Sequence, residues 1–196
     1  MKKVKIIILS LVVLLSSCDL LKEASSMYNF SKCDFRLSSV DNILLAGINV
    51  QTIQKRSELS IFDAAKLTTA FISNQLPLNL TLNVEVRNPN TQKATMNGME
   101  WILLIDDIEM TRGKLDRRIE VMPNNQSTMM PLVLSFDLKK VLSGKSADAV
   151  INFALNLSGN GNKPTRIALK AKPSVVIGSM TFPYPDYITI RSEFGK

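Results

Sequence analysis

The chain has 196 residues, with 24 lysines and arginines against 17 acidic residues, no histidine and a formal net charge of +7. Without histidine there is no Ser-His-Asp or Cys-His nucleophile and no histidine-bearing zinc site. The basic residues are spread along the chain, with only scattered aromatics among them, which argues against a nucleic-acid groove.

In chain order, Met1-Lys2-Lys3-Val4-Lys5 is a basic leader and Ile6 to Leu15 an apolar run broken only by Ser10. That is the pattern of a secretion signal, too short to span a hydrocarbon layer ~30 Å thick. Leu15-Ser16-Ser17-Cys18 resembles the lipobox of bacterial lipoproteins, in which the cysteine is acylated and becomes the first mature residue. The resemblance implies a signal peptide over 1–17, lipidation at Cys18 and attachment to the membrane through that lipid. Loss of Lys2, Lys3 and Lys5 would leave 21 basic against 17 acidic residues, a net +4. Residues 18–32 read as a lipidated tether with one helical turn, and 33–196 as a single domain. Cys33 then has no partner for a disulfide and reads as a small buried thiol.

Segments 33–39 and 42–50 read as paired strands joined by turn residues Asp41 and Asn42. Ser60 and Asp63 form a capping-box pattern ahead of a stripe at helical spacing, Ile61, Ala64, Ala65, Thr68, Phe71 and Ile72. This predicts a helix over 60–74 with the stripe facing the core. Between 76 and 86, Leu76, Leu78, Leu80, Leu82, Val84 and Val86 alternate with polar residues, a half-buried strand about 36 Å long at ~3.3 Å per residue. It closes in an Asn88-Pro89-Asn90 turn.

Met99 to Ile105 suits a central buried strand. Asp106 and Asp107 interrupt it, and Arg112-Gly113-Lys114 reads as a turn before 115–122. Thr128, Met130, Leu132, Leu134 and Phe136 alternate again. Leu138 to Leu142 and Lys145 to Val150 read as helical, with a strand resuming near Asn152. The turn-rich run 158–164 leads to a returning strand at Arg166 to Lys172. Residues 175–177 and 188–190 are extended around Pro183 and Pro185, which mark an edge or loop. Strands separated by short turns predict an all-β, immunoglobulin-like β-sandwich with one or two added short helices.

The stretch Leu80-Thr81-Leu82-Asn83-Val84-Glu85-Val86-Arg87-Asn88-Pro89-Asn90 resembles the signature strand and turn of the late-embryogenesis-abundant type 2 family, the water-stress and hypersensitive-response domain. The resemblance continues through Trp101, Asp106, Asp107 and Gly113 to Phe136-Asp137-Leu138-Lys139-Lys140-Val141-Leu142. It implies a fibronectin type III-like sandwich, no enzymatic activity and an association with desiccation stress. The lipobox with Cys33-Asp34-Phe35, Asp63-Ala64-Ala65-Lys66-Leu67 and Gly159-Asn160-Gly161-Asn162-Lys163-Pro164 resembles lipoproteins of Bacteroidetes that carry this domain. The helix over 60–74 departs from the plant pattern.

No cofactor motif is present. Asp106, Asp107 and Glu109 are the candidate ligands for a hard cation, but they lack the glycine-spaced ligand pattern of a calcium loop, so the sequence assigns no metal. Trp101, Tyr184 and Tyr187 would form a sugar-stacking platform if exposed together. The reading that follows is a non-catalytic, lipid-anchored lipoprotein of the bacterial envelope, at the outer membrane facing the periplasm, whose sandwich binds or supports an envelope protein or glycan. The alternatives are a stress-protective protein acting by weak contacts and a carboxylate-only hydrolase. The latter needs two facing acids about 5 to 9 Å apart in a cleft.

Overall fold

The computed structural model describes residues 22–53, 58–141, 147–159, 164–177 and 179–194. The signal, Cys18 and positions 160–163 of the predicted turn lie outside them. The alternating segment becomes strand β3 (Pro77–Asn88), with Leu78, Leu80, Leu82, Val84 and Val86 all buried. It pairs antiparallel with β1 (Asp34–Leu45) on one side and β8 (Gln126–Asp137) on the other. With β2 (Ile48–Asn49) these form one sheet, in the order β2-β1-β3-β8.

The second sheet is built on β5 (Gly98–Ile105), flanked by β6 (Ile108–Leu115) and β9 (Thr165–Ile177). The far edge of β9 is shared by β10 (Met180–Pro183) and β11 (Ile188–Phe194). A two-stranded ribbon, β4 (Ala94–Met96) with β7 (Ile119–Val121), lies between the sheets in sequence. Inner residues of both sheets, Leu82 and Leu134 from one, Leu103 and Leu169 from the other, join one buried cluster. β1 lies beside β11 and β6 beside β8, so the two sheets close on each other as a sandwich. The all-β sandwich is therefore the architecture, and it carries more helix than the one or two short pieces expected.

Several local expectations change. Residues 34–45 are one strand, not two. Asn42 takes a positive φ of 53° inside a register shift of β1, so its turn chemistry makes a bulge, and the reversal falls at Ala46-Gly47. Gly113 is not a turn either: it sits in β6 opposite Trp101, and a Cβ there would come within 2.5 Å of the indole. The glycine is needed because the ring occupies the missing side chain's space. Helix α4 (Ala147–Leu157) continues through the position where a strand was expected, burying Ala154, Leu155 and Leu157; a four-residue α3 (Leu138–Val141) precedes it.

The segment read as a tether is a helix, α1, over 22–31. Phe30 is 1% exposed and meets Phe35 edge to face at 5.5 Å, and the buried Ser26 hydroxyl lies 2.6 Å from that of Thr95. Helix α2 (Ile61–Ile72) starts at the predicted cap, where Ser60 Oγ accepts from Asp63 N at 3.0 Å. Its orientation is the reverse of the expected one. Leu67 is its buried residue and Phe71 is half-buried, while Ile61, Phe62 and Ile72 are 86%, 87% and 75% exposed. A stripe at helical spacing specifies one apolar face; whether the protein's own core covers it is decided by tertiary packing.

The two helices occupy opposite ends of β3. α2 runs into its first residue, whereas Asn90, just past its last, donates to Asn29 O of α1 at 3.0 Å. At that end Asn88 is fully buried. Its amide donates to Gln92 O and Val121 O at 2.9 and 3.0 Å, and its carbonyl accepts from Asn90 N at 3.0 Å. One side chain thus satisfies backbone groups of the turn and of β7 that would otherwise be stranded.

Candidate functional site

The sequence-predicted residues do not converge. Asp106 and Asp107 form a two-residue hairpin with φ of 48° and 64°, the left-handed geometry that such hairpins need. Arg166 clasps it: its backbone N–H donates to Asp106 Oδ1 at 3.2 Å and its guanidinium reaches Asp107 Oδ2 at 3.1 Å. Glu109 is turned to Arg112, at 2.6 Å. The acidic trio is therefore divided between two arginines, and among the described residues no group of three or more acidic or cysteine side chains is placed to hold a metal ion.

Trp101 is buried, at 8% exposure, on the inner face, so it cannot stand with Tyr187, which is 42% exposed. The three-residue stacking platform is absent for that reason. Cys33 is buried and free, its Sγ 3.5 Å from Asn29 O. Burial, helped by the neighbouring Asp34 charge, pushes its thiol up to about 12, so it is a packing residue and a poor nucleophile.

The outward face of the β6-β5-β9-β11 sheet is the surface with the most pronounced chemistry. Pairing aligns Lys114, Glu100 and Lys172 across β6, β5 and β9, then Arg112, Ile102, Lys170 and Thr189, then Ala168 beside Arg191. Glu100 is taken by Lys114 at 3.1 Å, and Lys172 lies over the Tyr187 ring, 5.6 Å from its centre. Among the described residues Lys170 and Arg191 are in no ion pair. Cations thus outnumber acids on this face, set between the apolar Ile102 and Leu104. An open groove lined by Glu100, Lys114, Asp116, Lys172 and Ser174 runs along one margin.

The outward face of the other sheet neutralises itself. Arg36 is bound to Glu85, Arg87 to Asp34 at 2.8 Å, and Asn83 donates to Ser39 Oγ at 2.9 Å. The Arg36 hydrogen bond, ahead of one from Ser127, holds the Glu85 carboxyl below its ordinary range, and Lys93 does the same to Glu120. Both are held as anions, the opposite of what a general acid requires. The sequence reading singled out none of these basic residues; the alternation of Lys170 and Lys172 with Leu169 and Ala171 is the signal that points to one basic strand face, whereas the pairing that brings Arg112, Lys114 and Arg191 beside it has no local signal. No described helix is long and apolar enough to cross a membrane.

No family model matches the chain, and no curated protein matches it. Among solved structures it is similar to a crystal structure of a protein from Archaeoglobus fulgidus, at 17% identity and a TM-score of 0.34 over 61% of this chain and 86% of that one. It is also similar to the solution structure of an Arabidopsis thaliana protein, at 12% identity and 0.38 over 61% and 70%. A third is the solution structure of a candidate late embryogenesis abundant protein, at 11% identity and 0.35 over 94% and 84%. Likenesses at this level carry no argument about function, and the sandwich is read from the pairing of its own strands.

Proposed function

We propose that this protein is a non-catalytic, lipid-anchored module of the bacterial envelope whose sandwich presents the β6-β5-β9-β11 face to an acidic envelope component. The observation that carries the reading is the cationic row Lys170, Lys172 and Arg191 on a sheet face that keeps positive charge uncompensated, opposite a face that pairs its charges off. A flat, charged sheet offers many weak, salt-sensitive contacts rather than an enclosed site for reaction chemistry. The lipobox supplies the anchor, at Cys18.

The test has two arms. Metabolic labelling with an alkynyl palmitate analogue should mark the wild-type chain and not Cys18→Ser, which should move to the aqueous phase on detergent partitioning. Retention on an acidic polysaccharide resin should fall at least tenfold in Lys170→Glu/Lys172→Glu. Equal retention of that variant and wild type would sink the binding face, and an unlabelled wild-type chain would sink the anchor. The second reading, stress protection by weak contacts, rests on the family resemblance of 80–90. It predicts that the protein keeps a drying-sensitive enzyme active at substoichiometric amounts, with no dependence on Lys170 or Lys172.

A further inference from the structure

Strand β9 outruns its sheet. Its last partner in β5 is Gly98, opposite Ser174; from Val175 to Ile177 it pairs with β10, Val175 with Phe182, Val176 with Thr181 and Ile177 with Met180. Asn97 ties down the base of this ribbon: its backbone N–H donates to Ser174 O at 2.8 Å, and its side-chain carbonyl accepts from Val176 N at 3.1 Å. Beyond that base the ribbon exposes apolar groups on both faces, because directly paired residues share a face and successive ones alternate. Val176, 42% exposed, stands on one; Met180 and Phe182, 63% and 41% exposed, stand on the other, which buried Val175 roots in the body. A flat protein partner would cover one face and leave the other wet, whereas a fluid apolar medium takes both.

The place of the ribbon identifies that medium. A groove lined by Ser174, Thr181 and Asp116 joins it to the loop over 116–118, where Arg118 is bound at 2.6 Å to Glu23 in the first turn of α1. The ribbon and the start of α1 therefore share one pole, and α2 occupies the other. Residues 19–21 alone separate α1 from Cys18, too short a length to bring another pole to a lipid held by that cysteine. We infer that the outer part of the β9-β10 ribbon, with Val176, Met180 and Phe182, dips into the interfacial layer of the membrane that holds the lipidated chain. This inference rests on the anchor at Cys18 proposed above and makes no use of the basic face. Of the adjoining cations, Lys114 is bound to Glu100 and Arg118 to Glu23, so apolar area carries the contact and it should persist at high salt. Because β10 is an edge strand, its outer backbone groups need water, which keeps the ribbon at the interface and out of the hydrocarbon centre.

The test uses the acylated protein reconstituted into phosphatidylcholine vesicles, with an environment-sensitive dye on Met180→Cys. A nitroxide carried high on the lipid acyl chain should remove at least about half of the emission, since an interfacial segment sits ~5–10 Å into the headgroup and acyl boundary. Val176→Cys should be quenched alike, and Ile61→Cys, on α2, should not. All three replace exposed side chains; an unchanged circular dichroism spectrum confirms that they fold, and the parent chain treated with dye sets the background from buried Cys33. Vesicle flotation separates the two claims. Protein that floats with its Met180 dye unquenched overturns the ribbon contact and leaves the anchor standing, whereas protein that does not float sinks the anchor and the ribbon contact with it. Quenching as strong at Ile61 as at Met180 would also overturn the inference, because the molecule would then lie on its side. So would quenching at Met180 without Val176, the one-faced contact of a protein partner.

Discussion

Gly113 shows how one missing side chain shapes a sheet. The indole of Trp101 lies across it, so Gly113→Ala places a methyl group 2.5 Å from Cζ2 and forces the ring or β6 to move. The expected cost is about 1–3 kcal/mol of stability, the range for overpacking a filled interior. Because Trp101 is the single tryptophan, its emission should shift in the same variant, and urea denaturation followed by fluorescence reads both. The sequence reading made Gly113 a turn because Arg-Gly-Lys has turn composition; a glycine required for close approach looks the same in one dimension. Cys33 was legible, as a small buried thiol without a local cluster of basic residues, and its environment sets a pH dependence. The unfolded thiol ionises around its ordinary value of 9.0, whereas the folded one keeps its proton to about 12. Between those values the unfolded state binds fewer protons, so stability falls as pH rises through that window. In Cys33→Ala the alkaline decline measured by thermal melting should be shallower, and in the native protein the thiol should resist alkylation at pH 8.

Among elements, the long strand was legible throughout, because period-two alternation over six aliphatic positions has no competing reading. The helices were legible in period and not in environment. For α1, residues 22–31 have a mixed composition, and two of the contacts that order it, to Thr95 and Asn90, are remote in sequence. For α2, the cap and the stripe were both present, but Lys139 over Phe71, 3.5 Å from the ring centre, and buried Leu67 turn the stripe outward. Phe30→Ala should cost about 3–5 kcal/mol, a loss visible as a lower melting temperature. A free tether at the same position would give no change, so the measurement distinguishes the two descriptions of this segment.

The whole molecule is asymmetric in charge, with one sheet face basic and the other internally paired. The Arg36–Glu85 and Arg87–Asp34 pairs are solvent-exposed ladder contacts on neighbouring positions of β1 and β3. Exchanging the first pair, Arg36→Glu with Glu85→Arg, should leave stability within about 0.5 kcal/mol, as exposed ion pairs contribute little. It should also leave retention on the acidic resin unchanged, a control against Lys170→Glu/Lys172→Glu. Of the candidate site, the sequence reading named no residue, although Lys170 and Lys172 do alternate with Leu169 and Ala171. Arg112 and Arg191 joined them only through register, which depends on turns and bulges that no local pattern encodes.

The docking of α1 has a mechanical consequence. Cys18 stands four positions before Lys22, where the helix is already in place, so the chain between them reaches no more than about 14 Å even at full stretch. If a fatty chain moors that cysteine, the sandwich is not a balloon on a string: it rides close above the lipid with little slack, and its pole bearing α2 is held outward at a set height.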